Sequence, residues 1–140
     1  MSTTQVIDFM SSWLRPSVEP ATEDPTNAIA LHLERDGETL VLQVEGQLSV
    51  ERVGALQAMF NQLWKEEARQ MVVDLTACPY VDSAGLAALV QARERARRVG
   101  RDFVLVGLHQ QLRNILRLTR LDRFFPTQDT WDAGEDIYGT

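Results

Sequence analysis

Two short apolar runs, MVVDL at residues 71–75 and FVLVG at residues 103–107, constrain this chain more than any other feature. Each is continuous rather than alternating, and each is bounded by charge and turn signals. That pattern reads as a strand buried on both faces. Helical spacing surrounds them. VERVGALQAMFNQLWKEEA carries Val53, Leu56, Met59, Phe60, Leu63 and Trp64 on one stripe. SAGLAALVQARERARRVG is a second helix stopped by Gly100, and QQLRNILRLTRL a third. The order helix, strand, helix, strand, helix requires crossover connections and therefore parallel pairing.

Ahead of this unit, AIALHLERDGETLVLQVEG alternates Ile29, Leu31 and Leu33, turns at Asp36-Gly37, and alternates again through Leu40, Leu42 and Val44. It reads as a hairpin with one buried face, with His32 as an ordinary exposed residue on the other. The expected fold is a small α/β domain: a mixed β-sheet with an N-terminal hairpin and helices packed on it. The domain is expected over residues 28–140, with TWDAGEDIYG as a weak final turn.

Residues 1–27 read differently. QVIDFMSSWLR places Val6, Phe9, Met10, Trp13 and Leu14 on one apolar stripe of a short amphipathic helix. Pro16 ends it, and RPSVEPATEDPTN is an extended, acidic linker. A helix this short needs something to rest on, either its own domain, a second subunit or a partner. The expectation is docking that supports a homodimer.

Bulk properties exclude several classes. With 44% apolar and 24% charged residues the chain suits one soluble domain. At this length it buries roughly 70% of its unfolded surface without needing disulfides. Cys78 is the lone cysteine, so no intrachain bridge forms, which fits a reducing cytoplasm. A net charge of −6 and a pI near 4.9 argue against nucleic acid and anionic membranes. The N-terminus has no secretory signal pattern, and no apolar run is long enough to insert in a bilayer. No Cys/His cluster and no phosphate-cradling glycine loop is present, so neither a metal nor another cofactor is expected.

The residues that bear on function sit in PYVDSAGLAAL. Ser83 lies beyond the strand MVVDLT, at the start of a helix, on the edge where α/β domains gather ligands and partners. Three readings apply. As a helix cap, serine is a favoured residue followed here by Ala84, Gly85 and Leu86. Gly85 speaks for more than capping: glycine weakens a first turn by up to about 1 kcal/mol against alanine, which suggests that another chain approaches closely. As a nucleophile Ser83 is poorly placed, since Val-Asp-Ser-Ala-Gly is not a nucleophile elbow, and neither His32 nor His109 is nominated as its base. As a modified residue it has a physical logic. A phosphate at a helix N-terminus meets the positive end of the dipole and free N–H groups, and places about −1.5 to −2 charges beside Asp82.

From Val72 to Pro126 the chain resembles the STAS domains of bacterial anti-sigma-factor antagonists. The shared features are the apolar strand with Asp74, Asp82-Ser83-x-Gly85-Leu86, the Val99-Gly100 ending of that helix, LVG, and RLTRLDRFF. With the hairpin and VEGQLSV, the resemblance runs from Ala28 to Ile137. It implies a single STAS-like domain without enzymatic activity, acting as a partner switch. Such antagonists bind a serine-kinase anti-sigma factor and so free a sigma factor. They are inactivated when the kinase phosphorylates the serine matching Ser83, and restored by a PP2C-type phosphatase. The implied partner-binding residues are Asp82, Ser83, Ala84, Gly85, Leu86, Gly46 and Ser49. Gly46-Gln47-Leu48-Ser49 departs from the Gly-Glu-Leu-Asp of many members and lacks an acidic group near the partner surface. The alternative is a constitutive scaffold role, in a signalling particle or as the STAS subunit of a lipid-transporting ABC system. The arginine sets Arg93, Arg97, Arg101 and Arg113, Arg117, Arg120 read as solvated faces paired with nearby carboxylates.

Overall fold

Alternation becomes a hairpin where the sequence places it. Strand β1 (Ala30–Asp36) pairs antiparallel with β2 (Thr39–Glu45), and Gly37 takes the left-handed conformation (φ 60°) that the tight turn demands. Leu33, Leu40, Leu42 and Val44 are buried, Ile29 and Leu31 lean against them, and His32 lies outside, 3.5 Å from Glu45. The computed structural model describes residues 29–129. The expected N-terminal helix and linker, and the expected final turn, lie outside the described residues.

Helix α1 (Val53–Leu63), β3 (Gln70–Asp74), α2 (Ser83–Arg98), β4 (Asp102–Val106), α3 (Gln110–Leu118) and a two-residue β5 (Thr127–Gln128) follow. The sheet order is β1-β2-β3-β4-β5, with every pair after the hairpin parallel. This is the mixed sheet that the strand–helix alternation implies. β5 carries no apolar pattern and is not visible in the sequence.

The strands are added in order, so the crossover helices all come to one face of the sheet. Leu56, Met59, Phe60 and Leu63 of α1, Ala88, Leu89, Ala92 and Ala96 of α2, and Leu112 and Leu116 of α3 share one core with Met71, Val73, Phe103 and Leu105. A fully buried leucine or phenylalanine contributes roughly 1.5–3 kcal/mol, so this layer supplies most of the drive to fold. Trp64 stacks on Phe60 as part of that core (ring centroids 5.9 Å apart). On the opposite face Val41, Val72, Val104 and Val106 form a separate buried group.

Arginines fasten the helix ends, and they do so through carbonyls more than carboxylates. Arg101 lies beyond α2 rather than on it. It donates to the carbonyls of Leu63, Trp64 and Glu66 at the end of α1, and its guanidinium rests over the Trp64 ring. Arg93 donates to Phe124 O (3.2 Å) and covers that ring, and Arg113 donates to Leu108 O and to Asp129. Arg97 pairs with Glu94, and Arg117 with Asn114. Arg120 holds a positive φ of 62° as the chain leaves α3.

Candidate functional site

Two loops at the carboxyl ends of β2 and β3 build the site, and backbone hydrogen bonds lace them together. Gly46 N donates to Ala77 O (2.9 Å), Leu48 N to Tyr80 O (2.9 Å), and Asp82 N to Leu48 O (3.0 Å). Leu48 and Val81 form an isolated parallel bridge. The loop that begins at Gly46, whose φ of 103° suits glycine, thus runs as a short ladder beside residues 77–82. From α3, Gln111 completes the clamp: Val81 N donates to its Oε1 (3.2 Å) and its Nε2 donates to Val81 O (3.0 Å). Leu48, Val81 and Cys78 are buried beneath. Burial pushes the Cys78 thiol up, against hydrogen bonds to the Leu48 and Tyr80 backbone, so the lone cysteine is held as a neutral core residue.

Asp82, not Ser83, is the cap of α2. Its backbone is extended (φ −89°, ψ −175°), Gly85 N donates to Oδ1 (2.9 Å), and Val50 N donates to Oδ2 (2.9 Å). One carboxylate therefore caps α2 and fastens the loop that leads into α1. The N–H of Gly85 is the largest cause holding its carboxyl below the ordinary carboxylate value, aided by Val50 and Ala84 and opposed by desolvation.

Because Asp82 takes the cap, the Ser83 hydroxyl has no structural task. Ser83 is the first residue of α2, exposed, and makes no side-chain hydrogen bond among the described residues. The capping reading of Ser83 is thereby set aside. The expectation that a phosphate there would find unused N–H groups also changes, since Asp82 already occupies Gly85 N.

Gly85 corrects a further expectation. It is buried, and a Cβ placed on it would stand 2.6 Å from Leu48 O and 2.8 Å from Leu48 Cγ. The close approach that glycine permits is made by the chain's own Leu48, not by another chain. Ala84 and Leu86 are half-buried, and Leu86 packs against the core. Ser49 sits where the second loop turns into α1. Its carbonyl accepts from Arg52 N and Val53 N, and its hydroxyl accepts from Arg52 Nη1 at 2.6 Å.

Two residues of this surface carried no motif. Val50 is 66% exposed and Tyr80 44% exposed, one on each of the two loops laced beside Asp82. Tyrosine is among the residues enriched where interfaces concentrate their binding energy, and valine is not. Their signal in the sequence is slight: a valine and a tyrosine within loops otherwise polar or small. Neither histidine hydrogen-bonds to Ser83 among the described residues. His32 faces Glu45, and His109 Nε2 lies 2.7 Å from Thr76 O.

Comparison with known proteins agrees with this geometry. The family model for the STAS domain matches residues 30–134. An anti-sigma factor antagonist from Mycobacterium paratuberculosis superposes with a TM-score of 0.70 at 25% identity, over 79% of this chain and 92% of that one. The Bacillus cell fate determinant SpoIIAA, in its phosphorylated form, gives a TM-score of 0.61 at 17% identity over 74% and 93%. The murine anion transporter Solute Carrier 26 family member A9 shares the fold (TM-score 0.54, 16% identity) over 62% of this chain but 14% of its own length. Among the described residues no helix is long and apolar enough to cross a membrane. A sheet in sequential order, the laced loops ahead of α1 and α2, and a family match over most of its length place this chain in the STAS domain family.

Proposed function

We propose that this protein is an anti-sigma-factor antagonist that works as a phosphorylation-controlled partner switch. Unmodified, it binds a serine-kinase anti-sigma factor and frees a sigma factor. Phosphorylation of Ser83 by that kinase releases it, and a PP2C-type phosphatase resets it. The docking surface comprises Ser83, Ala84 and Ser49 with Val50 and Tyr80 as apolar anchors, while Asp82, Gly46, Gly85 and Leu86 hold its shape. The observation that carries this reading is the exposed Ser83 hydroxyl, which makes no hydrogen bond among the described residues at the first position of α2, beside a carboxylate fixed by two N–H groups.

The electrostatics favour release rather than refolding. With the Asp82 carboxylate already seated on the helix end, a phosphate on Ser83 projects outward and adds about −1.5 to −2 charges. A partner carboxylate roughly 5 Å away would be repelled by several kcal/mol at an effective dielectric near 20. A loss of about 3 kcal/mol already weakens binding more than a hundredfold. The proposed partners and the cytoplasmic setting follow from this reading.

The test uses the purified protein, a candidate serine-kinase anti-sigma factor from the same cell, and ATP. Mass spectrometry should place the phosphate on Ser83, and the modified protein should leave the kinase. Ser83→Ala should bind and never be released, and Ser83→Glu should bind more weakly. Phosphate located elsewhere, with Ser83 unmodified at full conversion, overturns the assignment.

A further inference from the structure

The face of the sheet away from the helices carries residues that are buried without a described layer above them. Thr39 and Val41 of β2, Gln70 and Val72 of β3, and Val104 and Val106 of β4 point to this side, by alternation with Leu40, Met71, Val73, Phe103 and Leu105. Their exposures are 9%, 4%, 7%, 0%, 0% and 0% in that order. Flanking strands shield the sides of an outward valine but not its top, so values at zero require a second layer. None of the three described helices supplies it, because all their buried side chains lie in the opposite core. Thr39 donates to Gln70 Oε1 (3.0 Å), while Gln70 Nε2 finds no acceptor among the described residues, so this corner too is shut off from water.

We propose that the cover is the chain's own N-terminal segment, seated through Val6, Phe9, Met10, Trp13 and Leu14. Chain outside residues 29–129 exists at both ends, residues 1–28 and 130–140 each carry a net charge of −3, and the stretch that would do the seating separates the two. The rim of the valine face is acidic, with Glu34, Asp36, Glu45, Asp74 and Asp102 on the same side by register. Residues 130–140 bring Asp132, Glu135 and Asp136 and no lysine or arginine, whereas residues 1–15 balance Asp8 with Arg15 and hold the five-residue apolar stripe. Like charges against that rim disfavour the C-terminal segment, and the stripe matches the apolar centre. Reach is no obstacle. Pro16–Ala28, extended at about 3.3 Å per residue, spans about 40 Å, while β1 to β4 is about 15 Å across. The result is a third layer on the domain and a self-docked segment in place of a dimer contact.

A nitroxide on Ser12→Cys, on the polar side of the stripe, tests this in the full chain, with Cys78→Ala removing the native thiol. The methyl signals of Val41, Val72, Val104 and Val106 should lose intensity, while Leu56, Leu63 and Leu89 under the helices keep theirs. In a mixture of spin-labelled unenriched chain with enriched unlabelled chain, no signal should be lost. Valines at full intensity in the labelled chain overturn the proposal, and so does loss in the mixed sample, which would give the cover to a second copy. As an independent check, Trp13→Asp should shift the four valine methyls and leave the leucines in place. Unmoved valines in that folded variant overturn it as well.

Discussion

Val50 N donates to Asp82 Oδ2 at 2.9 Å, so the residue that leads towards α1 is tied to the residue that caps α2. Both loops of the proposed partner surface thus depend on one carboxylate. Asp82→Ala removes the acceptor for Val50 N and Gly85 N together and should cost about 1–2 kcal/mol, read as a lower urea midpoint. Asp82→Asn, which keeps one oxygen acceptor, should cost less. The sign with pH follows from the lowered carboxyl. A group whose folded pKa lies below its unfolded value stabilises fully above that unfolded value, 3.8 for an ordinary aspartate, and the contribution fades as pH falls through the lower folded value. The midpoint difference between wild type and Asp82→Ala should therefore be full at neutral pH and shrink in acid below pH 3.8.

Gly85→Ala should destabilise the domain although alanine is the better helix former. The propensity gain is up to about 1 kcal/mol, whereas an added methyl that overlaps a backbone oxygen forces shifts costing about 1–3 kcal/mol. Gly85→Leu should be worse still, since the obstacle is Leu48 of the same chain rather than an approaching partner. Equilibrium denaturation of both variants beside wild type gives the order.

Ser83→Ala, Tyr80→Ala and Val50→Ala should each leave the denaturation midpoint within about 0.5 kcal/mol of wild type, because exposed side chains without partners support nothing in the fold. Tyr80→Ala should nevertheless weaken binding to the proposed kinase by roughly tenfold, the loss expected of a tyrosine anchor, and Val50→Ala should weaken it less. Titration calorimetry with the kinase checks the affinity. Unchanged binding for both would remove them from the docking surface.

Gln111 hydrogen-bonds to no proposed partner residue among the described residues, yet both ends of its amide hold Val81. Gln111→Leu leaves Val81 N and O unpaired and should cost about 1–3 kcal/mol. Hydrogen exchange should quicken at Val81 and Asp82 before it does at β3, marking a loosened loop in a folded domain.

Most of the fold was legible because it rests on local patterns: alternation in the hairpin, continuous apolar runs at β3 and β4, stripes on α1 and α2, and glycine at the Gly37 turn and after α2. β5 was not, since two residues held at the sheet edge by pairing with Leu105 and Val106 need no apolar signature. The end of α3 was also hidden, because Arg120 rather than a glycine takes the positive φ there. At the site, Ser83 could be placed at a helix start from its neighbours. On sequence grounds Ser83 reads as the cap, but Asp82 takes it, and residue type gives no warning of this because both are good caps. A contact distant in sequence decided it: Asp82 N on Leu48 O and its carboxylate on Val50 N fix the cap one residue early. The same distance hid the partner of Gly85, for nothing near residue 85 announces Leu48.

The register of the hairpin has a consequence for how the domain is wired to whatever flanks it. Ala30 opens β1 opposite Glu45, at the carboxyl end of β2, and Gln128 closes β5 opposite Val106, at the carboxyl end of β4. Both exits of the described chain therefore leave on the end of the sheet where Ser83 stands, while the Gly37 turn marks the far end. Anything joined at residue 29 or residue 129 begins its path beside the proposed docking surface. A tether, a neighbouring domain or a fused reporter can press on a complex formed there, or be pressed by it, without the sheet having to transmit anything.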